Sequence, residues 1–269
     1  METTNTNIQQ IIDVIERLVA PDGCPWDRQQ TPETLCDYVI EECFELVEAI
    51  RDKDIDGIRE ELGDVFFLLT FIGQWYARAG NFSLDQVWQE NAAKMIRRHP
   101  HVFADQDITT ASQLYANWER IKKQEKADHG DGPQKVFASL PKALPPLLRA
   151  YRINSKAARI GFTWDKDEDQ ETKLREEWQE WLEAKQSGDP RQMEEEFGDY
   201  LFALTEYGRR HNLKANTCLS RANKKFLDRF DKLENLAIER GLDISEMSLQ
   251  EMDQLWDTIK QQEDKSGSD

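Results

Sequence analysis

The sequence predicts an all-α fold built as a tandem duplication of one helical bundle. Two observations carry this: long segments repeat apolar residues at helical spacing, and one ordered set of motifs occurs twice along the 269 residues. A third is the scarcity of turn formers, 9 Pro and 13 Gly, which argues against a fold of many short strands.

The elements follow in chain order. A helix is expected over roughly 8–20. Thr31-Pro32-Glu33 is a helix start, with a hydroxyl cap, proline at the first position and an acid in the first turn. The stripe Ile40, Cys43, Phe44, Val47 and Ile50 continues it with helical period. Further helices are expected at about 58–79, 83–98 and 111–126, with counterparts in the second half. There Asp189-Pro190 repeats the capping logic before the helix that carries Glu196. Short connections favour antiparallel neighbours in a bundle.

The repeat is explicit. Gly-x-x-Trp-Asp occurs as Gly23, Trp26 and Asp27, and again as Gly161, Trp164 and Asp165, an offset of 138. Trp-x-x-Ile-Lys-x-Gln-Glu runs from Trp118 to Glu125 and, at the same offset, from Trp256 to Glu263. Between these markers lie Glu41-Glu42-x-x-Glu45 and Glu61-Leu62-Gly63-Asp64. They recur 135 residues later as Glu176-Glu177-x-x-Glu180 and Glu196-Phe197-Gly198-Asp199. The halves are therefore drawn as 1–130 and 136–263, parted by the turn-rich stretch from Asp128 to Pro133, with a polar tail over 264–269 that is expected to fray.

A net charge of −17 repels nucleic-acid phosphates, so a nucleic-acid partner is not expected. An acidic protein can still take phosphates when metal ions stand between the two. The four cysteines form no C-x-x-C pair, no apolar run reaches a membrane span, and the first residues are polar. The expectation is a reduced cytoplasmic protein with no membrane partner.

The chemistry resides in the acids. Residues three apart share a helix side, so Glu42 and Glu45 point together, as do Glu61 and Asp64. Glu61 and Asp64 flank the core line Val65, Leu68 and Ile72; Glu196 and Asp199 flank Tyr200, Ala203 and Tyr207. Carboxylates gathered on an inward face cost several kcal/mol per ion unless a cation joins them. Oxygen-only donors suit hard cations, Mg²⁺ first and Mn²⁺ as the alternative. In a chain with 52 acidic residues a single Glu-x-x-Glu is an ordinary solvated face; the ordered tetrad, placed twice, is what argues for a site.

This tetrad resembles the mark of the MazG family of nucleoside triphosphate pyrophosphohydrolases in the all-α pyrophosphatase superfamily, E-E-x-x-E followed after a spacer by E-x-x-D. Gly23 to Asp27, Arg97 to Phe103, Gly161 to Asp165 and Ala222 to Phe226 also look like the family, so the resemblance covers almost the whole chain, as in its two-domain bacterial members. It implies metal ligands at Glu177, Glu180, Glu196 and Asp199, and a matching set at Glu42, Glu45, Glu61 and Asp64. It also implies hydrolysis chiefly in the second half, attack at the α-phosphorus, a homodimer, and a nucleotide contact at Trp256.

Each half also carries cations after its acids: Lys94 and Arg98 in the first, Lys225 and Arg229 in the second, each pair four apart on one face. With Asn223 they are the candidate phosphate-side contacts. The expected reaction is metal-assisted hydrolysis of a nucleoside triphosphate to a monophosphate and pyrophosphate. Glu176 or Glu177 would orient or deprotonate the water, while Lys225 and Arg229 steady the developing charge. Two rivals stand beside it. A di-iron bundle would use Glu-x-x-His, whereas each second pair here is Glu-x-x-Asp. A helical scaffold or regulatory module would bind nucleotide without turnover.

Overall fold

A computed structural model describes residues 2–104 and 135–266 and, between them, residues 110, 113, 114, 117, 118, 120, 121, 124 and 125, with side chains described from residue 7 to 263 of that set. The predicted boundary at Asp128–Pro133, parts of the predicted helix 111–126 and the last residues 267–269 lie outside the described residues. The chain divides into two compact units, Met1–Asp131 and Gly132–Asp269. Every regular element among the described residues is helical.

The first unit contains α1 (Glu2–Leu18), α2 (Pro32–Asp52), α3 (Ile55–Arg78), α4 (Leu84–Arg98) and the single turn α5 (Pro100–Phe103). Thr31 and Thr34 exchange side-chain and backbone hydrogen bonds at the start of α2, forming a capping box one residue before Pro32 finishes the first turn. Lys53 takes a left-handed conformation and Asp54 caps α3 by accepting from Gly57 N–H at 3.1 Å. Two residues thus join α2 to α3 as an antiparallel hairpin, and these helices pack along one another. The core holds Ile15, Leu35, Leu68 and Phe71, with Ile11, Val39 and Ile72 around it.

The second unit repeats this plan with α6 (Pro146–Arg159), α7 (Asp167–Ser187), α8 (Pro190–Arg210), α9 (Ala215–Glu239) and α10 (Leu249–Ser266). Gly188 is left-handed where Lys53 is, and Asp189 caps α8 where Asp54 caps α3. α10 continues to Ser266, so the polar tail expected from residue 264 begins inside a helix. Its core lies between α9 and α10, on Leu233, Ala237, Leu255 and Ile259, with Trp256 packed at its edge.

Two features of the hairpins matter later. The apolar stripe Ile40, Phe44, Val47 and Ile50 of α2 does not face α3; all four residues are exposed, and Leu35 and Ala49 turn inward instead. Second, α3 and α8 each place a glycine between their two acids, Gly63 and Gly198, where an added Cβ would meet nothing. Six residues after each Asp, a threonine hydroxyl donates back to the preceding turn, Thr70 to Phe66 O at 2.7 Å and Thr205 to Leu201 O at 2.9 Å.

The repeated Gly-x-x-Trp-Asp glycine is needed for a different reason in each unit. A Cβ on Gly23 would lie 2.2 Å from Leu18 O, whereas Gly161 has open space around it but φ +86°.

Candidate functional site

The hairpin geometry brings the acids together. Glu42 and Asp64 are each about 17 Å of helix from the Lys53–Asp54 turn at 1.5 Å per residue, and Glu45 and Glu61 each about 12 Å. Antiparallel helices therefore level Glu42 with Asp64 and Glu45 with Glu61. Glu42, Glu61 and Asp64 offer carboxylate oxygens all within 4.8 Å of one another, and Glu177, Glu196 and Asp199 do the same in the second unit. The fourth acid of each expected set, Glu45 or Glu180, stands outside these triads, close enough to act on them electrostatically.

Burial, then a hydrogen bond with Glu61, then the charges of Glu45 and Asp64 push the Glu42 carboxyl up to about 7. Glu45 is also raised, first by desolvation and then by Glu61. Glu61 Oε2 is buried and has no hydrogen-bond partner. A buried, unpaired acceptor beside mutually repelling carboxylates and an all-oxygen donor set fit a hard divalent ion.

This gives a pH prediction. The folded-state value of Glu42 lies above its ordinary value of 4.5, so its proton stabilises the metal-free first unit. That contribution is full below about pH 4.5 and is lost as pH rises through about 7. In chelator, the thermal midpoint of this unit should fall by roughly 5 °C between pH 5 and pH 8. Glu42→Gln should flatten the slope; an unchanged slope in that variant would mean that the acids do not repel.

The second triad differs by one residue that did not stand out in the sequence. Lys173 Nζ lies 2.8 Å from Glu177, 3.6 Å from Glu176 and 4.0 Å from Glu180. The hydrogen bond to Glu177 and the surrounding acids raise its pKa. The repeat could have flagged it, because Tyr38 occupies the matching place in the first unit. Glu196 is raised by desolvation and then by Glu180 and Asp199.

The second triad also borders a cleft of about 790 Å³, whose lining includes Lys173, Glu177 and Asp199. Its walls include Phe162, Trp164 and Phe202, and its polar members are Asn154, Gln170 and Glu206. Glu206 is satisfied: Arg209 donates to it at 2.7 and 2.8 Å, and Thr163 at 3.1 Å. At the repeat offsets, the first unit's core residues Ile15, Leu35, Leu68 and Phe71 correspond to Ile153, Gln170, Ala203 and Glu206. All four line the cleft. The contrast is sharpest at Gln170 and Ala203, which line the cleft where Leu35 and Leu68 are packed; Ile15 and Phe71 line a cavity in their own unit as well. The first unit has its own cavity, about 300 Å³, at the far end of α3 around Gln74 and Arg78, and none of its triad acids lines it.

The expected cationic and aromatic contacts lie elsewhere. Arg98 pairs with Glu125 at 2.6 Å and Arg229 with Glu263 at 2.8 Å, so the glutamate closing each repeat marker holds an arginine. Lys94 is half-buried on α4, Asn223 and Lys225 are exposed on α9, and Trp256 packs against Phe226 with ring centroids 5.2 Å apart. None of these residues lines the cleft. No described helix is long and apolar enough to cross a membrane, and all four cysteines are free thiols.

Comparison with known proteins places these features in a lineage. Residues 30–103, which include the first acidic set, match the model of the MazG nucleotide pyrophosphohydrolase domain. The chain is 38% identical over 260 residues to the nucleoside triphosphate pyrophosphohydrolase/pyrophosphatase MazG of Thermotoga maritima, covering 97% of this chain and 98% of that one. It is 37% identical over 259 residues to the nucleoside triphosphate pyrophosphohydrolase of Escherichia coli, covering 95% and 98%. It is also 40% identical over 255 residues to the uncharacterized protein YabN of Bacillus subtilis, of which it covers 51%.

Proposed function

The chain belongs to the MazG family of nucleotide pyrophosphohydrolases, and from that premise we propose that it hydrolyses nucleoside triphosphates to a monophosphate and pyrophosphate with Mg²⁺, chiefly in its second unit. One observation carries the choice of unit: Glu177 and Asp199 of the acid triad line a cleft with room for a nucleoside, whereas the smaller cavity of the first unit is lined by none of its triad acids.

Glu177, Glu196 and Asp199 hold the cation, with Glu180 alongside; Mn²⁺ suits the same oxygens. Bound there, the ion offsets phosphate charge and makes a nearby water more acidic. The chain's own groups do the rest. Glu176, exposed beside the triad, orients the attacking water or takes its proton as that oxygen bonds to the α-phosphorus. The α–β bridging oxygen then leaves with pyrophosphate. Lys173, already at the acids, is placed to meet the negative charge that develops; Lys225 and Arg229 of α9 are the further cations for the phosphate tail, together with Asn223 and Trp256.

In the first unit, Glu42, Glu45, Glu61 and Asp64 keep a metal-competent set, with Lys94 and Arg98 on the following helix. Leu35 and Leu68, packed where Gln170 and Ala203 line the second unit's cleft, favour a second reading for this unit alone, a regulatory or structural domain without turnover. The exposed stripe Ile40, Phe44, Val47 and Ile50 supports a homodimer, because a second copy would cover a face that water otherwise meets. The free thiols accord with a reducing, cytoplasmic setting.

The test is a phosphate-release assay on the full chain, with and without added inorganic pyrophosphatase. Phosphate should appear only when pyrophosphatase and Mg²⁺ are both present, and chelator should abolish it. Phosphate released without pyrophosphatase would indicate cleavage at the γ-phosphate and overturn the reading.

A further inference from the structure

The cleft beside the second triad contains two polar groups whose bonding is incomplete. Gln170 is 1% exposed; its Nε2 donates to Ala203 O at 3.4 Å, and its Oε1 is buried with no partner. Asn154 is 7% exposed, and its Nδ2 is likewise buried without a partner. Both residues line the cleft. A buried polar atom with nothing to bond costs about 1–3 kcal/mol, so native proteins seldom retain one without a use. The first unit carries no such cost at the Gln170 position, where Leu35 is fully buried in the core.

The two groups are complementary, Asn154 supplying a free N–H and Gln170 a free C=O. They lie in a space with aromatic walls at Phe162, Trp164 and Phe202, which Glu177 and Asp199 of the acid triad also line. A group joined to a triphosphate held by those acids and accommodated here should be flat, aromatic on its faces and hydrogen-bonding on its edge. We infer that Asn154 and Gln170 read the polar edge of the nucleobase, so that the cleft selects bases presenting an adjacent acceptor and donor and discriminates against a base of similar shape without them. The inference rests on the proposed nucleotide reading and adds to it how the base is chosen. Each common nucleobase offers such a pair on its Watson–Crick edge, so the device separates bases with an intact edge from those with a blocked or missing one, not one common base from another.

The experiment is equilibrium binding by titration calorimetry in Mg²⁺ on the full chain, with the two acids Glu42 and Glu61 changed to Gln so that the first unit's set is silenced. The ligands are the α,β-methylene forms, which cannot be cleaved at that bridge, of ATP, GTP and the triphosphate of benzimidazole riboside, the last of which keeps the ribose and the ring shape but lacks the polar edge. ATP and GTP should bind at least about tenfold tighter than the benzimidazole compound. Near-isosteric apolar replacements, Asn154→Leu and Gln170→Met, should each shrink that ratio, and together bring it within about twofold, with affinity for the benzimidazole compound retained. Because the readout is a ratio within one variant, a general loss of stability does not mimic it. Should the double variant fail to fold, the two single variants carry the same test.

Equal affinity of the parent for all three ligands would overturn the inference, and so would a ratio that survives in both single variants. The expected binding ratio together with no hydrolysis of ATP itself would leave base reading in place and remove the hydrolase reading.

Discussion

Replacing Glu196 or Asp199 with alanine should reduce pyrophosphate release by roughly 10³-fold, a loss of about 4 kcal/mol of transition-state stabilisation. Each substitution removes one of three carboxylates whose oxygens lie within 4.8 Å of one another, and alanine offers no oxygen in its place. The metal-free fold should survive, with a thermal midpoint unchanged or slightly raised. The reason lies in the same triad: desolvation and then Glu180 and Asp199 already raise Glu196, so removing one acid relieves repulsion. Circular dichroism and a melting curve in chelator separate loss of chemistry from loss of structure. Glu61→Ala is the matching change in the first unit and should alter the rate by less than about threefold. Equal collapse in both variants would refute the assignment of hydrolysis to the second unit.

Ala203→Leu should be nearly as damaging by a different route. Leu68 fills the core of the first unit at this repeat position, and Ala203 lines the cleft. The larger side chain would occupy space the nucleoside needs, so kcat/KM should drop by about 10²-fold, mostly through KM. The protein itself should be as stable or more so, since filling a void recovers packing. A raised midpoint with unchanged kcat/KM would show that the substrate does not enter here.

Much of this was legible in the residues. The duplicated acids could be read directly because chemistry fixes both residue type and spacing, and Thr31-Pro32 and Asp189-Pro190 announced the helices that hold or pair with them. What periodicity could not tell was which apolar stripe of α2 faces inward. Ile40, Phe44, Val47 and Ile50 have the right spacing for a core, yet they are exposed, because Glu42 must turn toward α3 and carries the opposite stripe outward. The cleft was hidden for a related reason. It arises from what Leu35, Leu68 and Phe71 become at Gln170, Ala203 and Glu206, and a motif search follows the residues that recur rather than the ones that change. Lys173 escaped notice in the same way. Arg98 and Arg229 are also each held by the glutamate that ends its repeat marker, a contact that their spacing alone did not announce.

The helices that present Glu61 with Asp64 and Glu196 with Asp199 share a backbone property. Each places glycine between its acids, at a cost of about 1 kcal/mol relative to alanine in a helix interior, and each returns a threonine hydroxyl to a carbonyl less than two turns further on. Both devices lower the bending stiffness of the rod at the level of the acids. In both units the acid-bearing stretch is thereby a part of its helix that intrinsic propensity disfavours.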